Sequence, residues 1–351
     1  MKNAILISNT HDPVRISEIE QLSVTCGYII LKKFIQTSKP RPRFFIGSGK
    51  VRKIQEYVQR RSVDLAIFEG YLSSRQVMSL EEELKIPVID KFDLILNVFE
   101  KHAASKEAKL QTELVRLKRK LPYITMYITA RVRDDHPGFG SSGEYIVNST
   151  ITQIHKRIKK IENRLNTFQK RVESQGRRRR KKGKIVSIVG YTNVGKTTLL
   201  NRLTGAKKET GDELFTTLRT KTAHLKSGKR IYLSDTIGFI RALPQELIYA
   251  FRATLSEVRS SDLILLLLDA SDPFGEFLKK KEVCESTLIR IGADKIQTVY
   301  VLNKIDRCRE LKDKEKFLEN CVAVSAKYGH GLDVLREIIV DRVQVNEHTA
   351  Q

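Results

Sequence analysis

The sequence has no tryptophan, only four cysteines and no long apolar run. Its longest apolar run, residues 263–268, is only as long as a strand, and the apolar stretch near the initial methionine is too short for a signal peptide. The chain is therefore predicted not to insert into a membrane. The cysteines form no CxxC pair and the histidines are scattered, which argues against a zinc site and indicates free thiols in a reducing cytoplasm.

Negative charge is also scarce. The 351 residues include 64 lysines and arginines against 41 aspartates and glutamates, which gives a formal net charge of +23. This excess is more than solubility requires and predicts a polyanionic partner; composition alone leaves RNA, a ribonucleoprotein and an anionic membrane open. A hydrophobic content of 40% argues against wholesale disorder, and the length suffices for two domains.

Residues 4–99 alternate between strand-like and helix-like runs, which is typical of a small α/β domain with a largely parallel sheet. The strand-like runs are residues 4–8, 28–34, 43–46, 64–68 and 88–90. Residues 47–50 (GSGK) superficially resemble a phosphate loop but lack the earlier glycine and the following serine or threonine. We interpret them as a strand-to-helix turn rather than a second nucleotide site.

A different pattern begins near residue 105. Leucines at positions 110, 114, 117 and 121 predict a helix that ends at Pro122, and apolar residues in unbroken 3,4 spacing over residues 151–172 predict a second helix. The simplest partner for this heptad seam is the first helix, folded back as an antiparallel hairpin arm. Two ordinary helices of the first domain are the alternative.

Between these helices, residues 122–145 form a long connection with glycines, basic residues and aromatics. Such a tip suits insertion into folded RNA, where arginine meets phosphate and Phe139 or Tyr145 stacks on a base. A disordered surface loop is the alternative. Six consecutive cations at residues 177–182 then predict a solvated linker that also contacts a phosphate backbone.

A glycine-rich segment between a strand-like and a helix-like run is the strongest signal in the sequence. Such a loop turns tightly enough for successive N–H groups to point at phosphate oxygens from a helix N-terminus. Lys196 is predicted to reach the β- and γ-phosphates, and Thr197 to offer its hydroxyl to Mg²⁺. The predicted nucleotide-binding residues of this loop are Gly190, Tyr191, Thr192, Asn193, Val194, Gly195, Lys196, Thr197 and Thr198.

Four further segments follow in the order and at the distances of a GTPase. Asp235 is predicted to hold Mg²⁺ through a water, and the Gly238 N–H to meet the γ-phosphate. Asp306 would accept two hydrogen bonds from the N1–H and N2–H₂ edge of guanine, a donor pair that adenine lacks. Thr217 is the candidate second Mg²⁺ hydroxyl in a switch loop, with Thr216 as the alternative. The remaining predicted nucleotide contacts are Phe215, Leu218, Thr236, Ile237, Asn303, Lys304, Ser325, Ala326 and Lys327.

This domain is therefore predicted to bind GTP, GDP and Mg²⁺ and to hydrolyse GTP. Many GTPases place a glutamine directly after the glycine of the Asp-x-x-Gly element to orient the attacking water, whereas this chain has Phe239. An apolar ring cannot polarise water, so we expect slow intrinsic hydrolysis that depends on a partner's surface, with Arg241 as a weaker internal alternative. The predicted metal residues are Thr197, Thr217 and Asp235, and the predicted catalytic residues are Lys196, Thr217 and Gly238.

These motifs and their flanks resemble the HflX family of ribosome-associated GTPases over nearly the whole chain. The most specific are LFTTL at residues 214–218 and DTIGFIRALP at residues 235–244, because a generic GTPase shares neither. The resemblance also rests on FIGSGK at residues 45–50, VID at 88–90 leading to LIL at 94–96, KLQTEL at 109–114 and LP at 121–122.

The resemblance implies association with the large ribosomal subunit and ribosomal RNA, in the splitting or rescue of stalled ribosomes. It also implies that the connection between the long helices approaches the peptidyl-transferase region. This chain departs there, with GFGSSGE at residues 138–144 where the family has a loop richer in glycine and arginine that ends in a Gly-Pro-Gly-Glu-like segment. A further C-terminal domain of some relatives is expected to be absent.

Together these features predict an α/β protein: a small N-terminal α/β domain with a long antiparallel helical hairpin, followed by a P-loop GTPase domain with a mostly parallel sheet. The expected divisions are residues 1–104, the arm 105–176, a linker 177–183, the GTPase domain 184–343 and a tail 344–351. We expect a cytoplasmic protein, monomeric when free, with peripheral membrane attachment left open. The alternative functions are an RNA chaperone or helicase-like NTPase and, less favoured, a membrane-surface GTPase held by charge without a lipid anchor.

Overall fold

The computed structural model describes residues 1–37, 39–103, 105–134, 142–180, 183–206, 221–225, 230–236, 238–239, 258–308, 311–318 and 320–348. The chain divides into two compact units, Met1–Ala103 with Lys109–Leu165 and Ala104–Ala108 with Asn166–Gln351. Each unit contains a largely parallel sheet, which confirms the predicted mixed α/β class. Among the described helices, none is long and apolar enough to cross a lipid bilayer.

The first unit is built on four strands: β1 (Lys2–Ser8), β2 (Tyr28–Ile35), β3 (Leu65–Phe68) and β4 (Val88–Asp90). Its helices are α1 (Pro13–Thr25), α2 (Ser48–Arg60), α3 (Ser74–Leu84) and α4 (Lys91–His102). The strand order is β2-β1-β3-β4 and every pairing is parallel. β3 is buried along its whole length, as expected for an inner strand covered on both faces.

Capping residues at the carboxyl edge of this sheet fix where the helices begin. Asp12 accepts a hydrogen bond from the N–H two residues on, and Pro13 opens α1 with a backbone angle that already suits a helix. Ser73 and Gln76 form a capping box at the start of α3. Asp90 ends β4 and caps α4 with its side chain. These polar side chains at the edge of the sheet therefore serve as helix caps.

The predicted strand at residues 43–46 is wrong, because this segment is a turn. Arg41 and Phe45 bond each other through both backbone groups, at 3.0 and 2.9 Å, so the chain folds back on itself. Phe44, Phe45 and Ile46 are buried, and the Phe45 ring lies edge-on to that of Phe68 at 6.2 Å between centroids. The apolar run thus reflects burial in the core and not strand pairing.

The two long helices exceed their predicted lengths. α5 spans Lys106–Asp134 and continues through Pro122, where a helix end was predicted. Proline costs the hydrogen bond to the carbonyl four residues earlier, but its fixed φ is helical. α6 spans Ser142–Arg180. Once a helix is nucleated, each added residue gains a backbone bond, which favours extension into residues whose composition suggested a loop.

The connection between these helices is accordingly shorter than predicted. Arg131, Arg133 and Asp134 belong to α5, and residues 142–145 belong to α6, while residues 135–141 lie outside the described part. The cations at 177–180, predicted as part of a separate linker, continue α6 as helix, and residues 181–182 are not described.

The predicted seam between the two helices is present. Leu114 of α5 packs with Ile158 and Ile161 of α6, flanked by the partly buried Leu110, Leu117, Ile154 and Leu165. Two ion pairs border it: Glu113 with Arg157 and Lys118 with Glu162, each at 2.7 Å. The antiparallel course of a projecting hairpin arm stays a prediction.

The second unit contains β5 (Lys184–Gly190), β6 (Lys221–His224), β7 (Ile231–Asp235), β8 (Leu263–Asp269), β9 (Thr298–Asn303) and β10 (Cys321–Ala323). Its helices are α7 (Lys196–Thr204), α8 (Phe274–Ile291), α9 (Leu311–Phe317) and α10 (Leu332–His348), with a 3₁₀ turn at Ile305–Arg307. The strand order is β10-β9-β8-β5-β7-β6, all parallel except β6 against β7. The apolar run predicted as a strand is the central β8, and the carboxyl ends of β5, β7, β8 and β9 meet at one edge.

Candidate functional site

The loop from β5 to α7 has the geometry that a phosphate cradle requires. Gly190 and Gly195 have φ of 155° and 95°. A Cβ on Gly190 would lie 2.5 Å from the Leu267 carbonyl oxygen, and one on Gly195 would lie 2.5 Å from Asn303 Nδ2. Both positions therefore require glycine. The loop is packed too closely against β8 and β9 for any larger residue.

Lys196 is held by the loop that it follows. Its Nζ donates to the carbonyl oxygens of Tyr191 at 2.7 Å and Gly190 at 3.2 Å. Burial lowers the pKa of Lys196 to about 8, against the opposing effect of the nearby Asp235 carboxylate. Anionic phosphate oxygens beside this ammonium group would favour its charged form and raise that pKa. The lysine is thus positioned at the mouth of the cradle.

The structure brings two of the predicted metal residues together. Thr197 Oγ1 donates to Asp235 Oδ2 at 2.7 Å, although the two residues are 38 positions apart. A hydroxyl and a carboxylate oxygen are hard donors of the kind that Mg²⁺ prefers, so this donor set fits the ion. The third predicted metal residue, Thr217, lies outside the described residues.

The segment after Asp235 is joined to the phosphate loop by backbone pairing. Phe239 N–H donates to the Gly190 carbonyl at 2.9 Å, and Thr192 N–H donates to the Phe239 carbonyl at 2.8 Å. A Cβ on Gly238 would lie 2.9 Å from Lys196 Nζ, so this glycine sits directly beside the lysine. The Phe239 ring is only 2% exposed. The residue at the usual glutamine position therefore points into the protein interior.

The predicted guanine-recognition residues also meet, at the ends of β9 and β10. Asn303 Nδ2 donates to the Val194 carbonyl at 2.8 Å, and Asn303 Oδ1 accepts from the Ala326 N–H at 2.9 Å. Ser325 Oγ donates to Asp306 Oδ1 at 2.5 Å. Asn303 thus ties the phosphate loop to the loop after β10, and the serine orients the carboxylate that would face the base.

Lys304 completes this connection. It has a left-handed backbone, with φ of 65°, and its Nζ donates to the Asn193 carbonyl at 2.8 Å and to Asp269 Oδ2 at 2.6 Å. The hydrogen bonds from Lys304 and Ser271 lower the pKa of Asp269 against the effect of its burial. The carboxylate therefore stays ionised and holds the lysine along the phosphate loop.

Other predicted residues have structural positions around the site. Thr236 Oγ1 donates to the Ile188 carbonyl at 2.9 Å and is fully buried. Lys327 lies beyond Ala326, with its Nζ 5.2 Å from the centroid of the Tyr328 ring. Thr198 is the third residue of α7. The predicted Phe215, Thr216, Thr217, Leu218 and Ile237, together with Arg241, lie outside the described residues.

Sequence reasoning missed two supporting residues. Asp269 pairs in register with Asn303 at the carboxyl end of β8, a position that the strand-end rule for parallel sheets could have singled out. Lys314 is 2% exposed, and its Nζ donates to the carbonyls of Ala270 and Asp272 at 2.6 Å each. No local pattern marks this lysine, because its role depends on the approach of α9 to the loop after β8.

The GSGK segment of the first unit is used differently. Gly47 precedes α2 with a φ of −71°, and Lys50 Nζ donates to the carbonyl of Ile35 at 3.1 Å. A Cβ on Gly49 would meet nothing within 4 Å. Lys50, in the first turn of α2, thus bonds the end of β2; the segment begins a helix as interpreted from the sequence, but it follows a turn and not a strand.

Comparison with known proteins covers nearly the whole chain. Family models described as GTP-binding GTPase N-terminal, GTP-binding GTPase middle region and 50S ribosome-binding GTPase match residues 14–100, 102–180 and 185–304. The GTPase HflX of Methanocaldococcus jannaschii is 36% identical over 349 residues, which are 97% of this chain and 86% of that relative. The GTPase HflX of Escherichia coli is 34% identical over 357 residues, which are 98% and 83%.

Solved structures agree with the relatives. A crystal structure of SsGBP in complex with GDP has a TM-score of 0.55 at 27% identity and covers 98% of this chain and 99% of that one. A GTP-binding protein from Sulfolobus solfataricus, also with GDP, has a TM-score of 0.52 at 28% identity with the same coverage. The predicted family, enzyme class and guanine nucleotide binding are thereby confirmed. The chain belongs to the HflX family of GTPases and hydrolyses GTP.

Proposed function

We propose that this GTPase acts on the large ribosomal subunit, that contact with the subunit stimulates hydrolysis, and that the cycle serves the splitting or rescue of stalled ribosomes in the cytoplasm. The observation that carries the proposal is the position of Phe239. Its ring is buried and both of its backbone groups bond the phosphate loop. Since the buried Phe239 ring cannot orient water, another group supplies that function, and we assign it to an outside surface.

The nucleotide roles follow from the contacts in the site. Lys196 reaches the β- and γ-phosphates, and Gly238 offers its N–H to the γ-phosphate beside it. Thr197 and Asp235 hold Mg²⁺, joined by Thr217 from the switch loop. Asp306 accepts the N1–H and N2–H₂ of guanine, with Asn303, Lys304 and Ser325 holding the surrounding loops. The metal, when bound, neutralises charge that develops on the phosphates.

Several features support ribosomal RNA as the partner surface. The family model described as 50S ribosome-binding GTPase matches residues 185–304, and the formal net charge is +23. On α6, exposed cations face solvent beside the seam with α5: Lys156, Lys159, Lys160 and Arg164. In our proposal the arm of residues 105–176 and the basic residues after it engage RNA phosphates, while GTP orders the switch loops and hydrolysis releases the protein.

The test is the GTP hydrolysis rate of the full chain, alone and with purified large or small ribosomal subunits, at low and high salt. Stimulation by large subunits that weakens as salt rises is the expected result, because phosphate contacts release counterions. A rate that is fast without ribosomes, or one that large subunits leave unchanged, would overturn the proposal. Equal stimulation by small subunits would reject the choice of subunit.

Two variants test two separate parts of the proposal, the lack of a catalytic side chain at position 239 and the role of the α6 cations. Phe239→Gln is expected to recover part of the ribosome-independent rate only if the side chain can leave its buried position, so we expect little gain. Lys160→Gln on α6 is expected to lower ribosome affinity and salt dependence while leaving GDP affinity unchanged. If ribosome affinity does not change when α6 cations are lost, the proposal that the arm contacts RNA is wrong.

A further inference from the structure

An exposed aromatic and basic surface lies next to the guanine-recognition loop. Tyr328 is 58% exposed, and its ring stacks on that of His330 with centroids 6.2 Å apart and planes 23° apart. Lys327 Nζ lies over the Tyr328 ring at 5.2 Å. The nucleotide site as described above uses neither ring, although Lys327 beside them is one of its predicted contacts. We call Lys327, Tyr328, His330 and Arg202 the aromatic surface.

Arg202 and Arg336 add positive charge to the same place. Arg202, in the last turn of α7, donates from Nη2 to the Lys327 carbonyl at 2.5 Å. Arg336 of α10 donates to the Arg202 carbonyl at 3.3 Å and also pairs with the exposed Asp333 at 2.6 Å. Arg202 and Lys327 are exposed, so two cations flank the stacked rings. The charge of Arg336 is partly neutralised by Asp333.

The backbone under the rings is fixed rather than loose. The Ser325 N–H donates to the His330 carbonyl at 3.0 Å, and the Gly329 N–H donates to the Ser325 carbonyl at 2.7 Å. The Tyr328 N–H donates to Ser325 Oγ at 3.3 Å. The rings are therefore presented on a closed loop, which lowers the entropy cost of using them for binding.

Stacked aromatic faces with flanking cations match the chemistry of single-stranded RNA. A base stacks on an exposed ring whatever its identity, while lysine and arginine neutralise the backbone phosphates. The carboxylates of an acidic peptide would use the cations but would gain nothing from the ring faces, whereas every RNA base has a face that can stack. We propose that the aromatic surface binds a single-stranded RNA segment, with a base stacked on Tyr328 and phosphates held by Arg202 and Lys327.

This inference builds on the proposed association with ribosomal RNA and assigns it a second surface, on the GTPase unit. The chain has no tryptophan, so a single substitution creates a unique fluorescent reporter. The Tyr328→Trp variant keeps an aromatic face in place. The matched control is Phe317→Trp, since Phe317 is also exposed, at 50%, and has Lys281 Nζ 5.7 Å from its ring, but its aromatic neighbour Phe274 lies edge-on.

Each full-length variant, checked for fold by GDP binding, is titrated with a short single-stranded RNA of mixed sequence. We expect saturable quenching of tryptophan fluorescence in Tyr328→Trp and none in Phe317→Trp. Adding Arg202→Gln to the Tyr328→Trp variant is expected to weaken the affinity at least about fivefold and to lower the salt slope by about one. If Tyr328→Trp does not bind GDP, His330→Trp replaces it as the reporter.

RNA binding without quenching of the reporter would overturn the inference, and so would equal quenching of the Phe317→Trp control. Equal quenching of Tyr328→Trp by poly-aspartate would show a general polyanion site and reject the RNA assignment. Pelleting with large ribosomal subunits is measured in parallel. Pelleting without quenching by RNA rejects only this surface, whereas quenching without pelleting rejects only the ribosomal proposal.

Discussion

The carboxyl edges of the two parallel sheets carry the same kinds of residue but use them differently. In the first unit, charged groups satisfy one another: Lys91 pairs with Glu18 at 2.8 Å with both side chains buried, and Asp90 accepts from Arg119. In the GTPase unit, Lys196 and Asn303 bond backbone carbonyls of the phosphate loop. Ion pairs fill the first edge, whereas the second, although it also holds the pair of Lys304 with Asp269, has polar groups arranged around a cradle for an anion.

The glycines of the two units differ in a similar way. Gly195 stands at a positive φ where a side chain would collide with Asn303, whereas Gly49 has open space around it. Both glycines precede a lysine at the start of a helix. Of these two glycine and lysine segments, only the one at residues 195–196 is packed closely enough to make its glycine obligatory.

The largest expected effect comes from adding a methyl group at Gly195, with the same change at Gly49 as its counterpart in the first unit. Gly195→Ala is expected to lower GTP affinity at least about 100-fold, because a strained backbone and a displaced Asn303 cost about 3 kcal/mol. Gly49→Ala is expected to leave GTP affinity unchanged and to stabilise α2 slightly. Affinities from a fluorescent GTP analogue, with thermal unfolding as the folding control, check both. Equal losses in the two variants would contradict the contrast.

A second substitution tests whether only the GTPase unit binds a nucleotide. Asp306→Asn is expected to lower GTP affinity about 100-fold, because guanine loses a charged acceptor for two donors. Xanthosine triphosphate should gain affinity, since its C2 carbonyl can accept from the new amide. Competition binding measures these shifts. ATP hydrolysis that persists in this variant would assign an adenine site elsewhere and would favour the helicase-like alternative.

The ion pairs that close the first edge should matter for stability and not for nucleotide binding. Arg119→Met is expected to destabilise the first unit by about 3 kcal/mol, because the fully buried Asp90 carboxylate loses this cation and keeps its bonds from the Leu72 and Asp93 N–H groups. Arg116→Met is the matched control: Arg116 pairs at 2.6 Å with Glu100, whose side chain is 64% exposed, so a loss under about 1 kcal/mol is expected. Hydrogen exchange over β4 and α4 gives both values. A change in GDP affinity in either variant would contradict the separation.

The smallest expected effect is a pH dependence at the same edge. Burial, and then the neighbouring Asp90, raise the pKa of Asp93 to about 6, against the effect of Arg119. An acid with a raised folded pKa holds its proton longer in the folded state, so stability falls as pH rises from about 4 to about 6 and is constant above that. Asp93→Asn should remove about 1–2 kcal/mol of the stability change across this pH range. Hydrogen exchange across this range measures it, and an unchanged slope would reject the assignment.

Much of the GTPase unit could be predicted because its signals are local. The apolar run of β8, the glycines of the phosphate loop and the polar residues at the ends of β7 and β9 each lie within a few positions of the element that they mark. Parallel strands bring such endings to one edge, which is why Thr197 and Asp235 meet as a predicted pair. The predicted switch residue Thr217 remains untested, since it lies outside the described residues.

Predictions failed where one local sequence pattern is compatible with two different structures. The apolar residues 43–46 suited a strand, but the bonds between Arg41 and Phe45 make a turn that buries them. Pro122 suited a helix end, but α5 continues because the loss of one hydrogen bond did not outweigh further helix growth. In both cases burial or helix propagation overrode the propensity of a few residues.

The sequence by itself determined the mixed α/β class, most of the strands, the glycine loop between β5 and α7 and the family, and it predicted the carboxylate that would select guanine, because these depend on short-range patterns and spacing. Only the tertiary structure decided which charges pair. The bond from Lys304 to Asp269, the support of that loop by Lys314 and the closure of Asp90 by Arg119 join residues from separate elements. Such pairs depend on strand order and helix approach, which leave no local mark, since any lysine or arginine reaching the same place would serve.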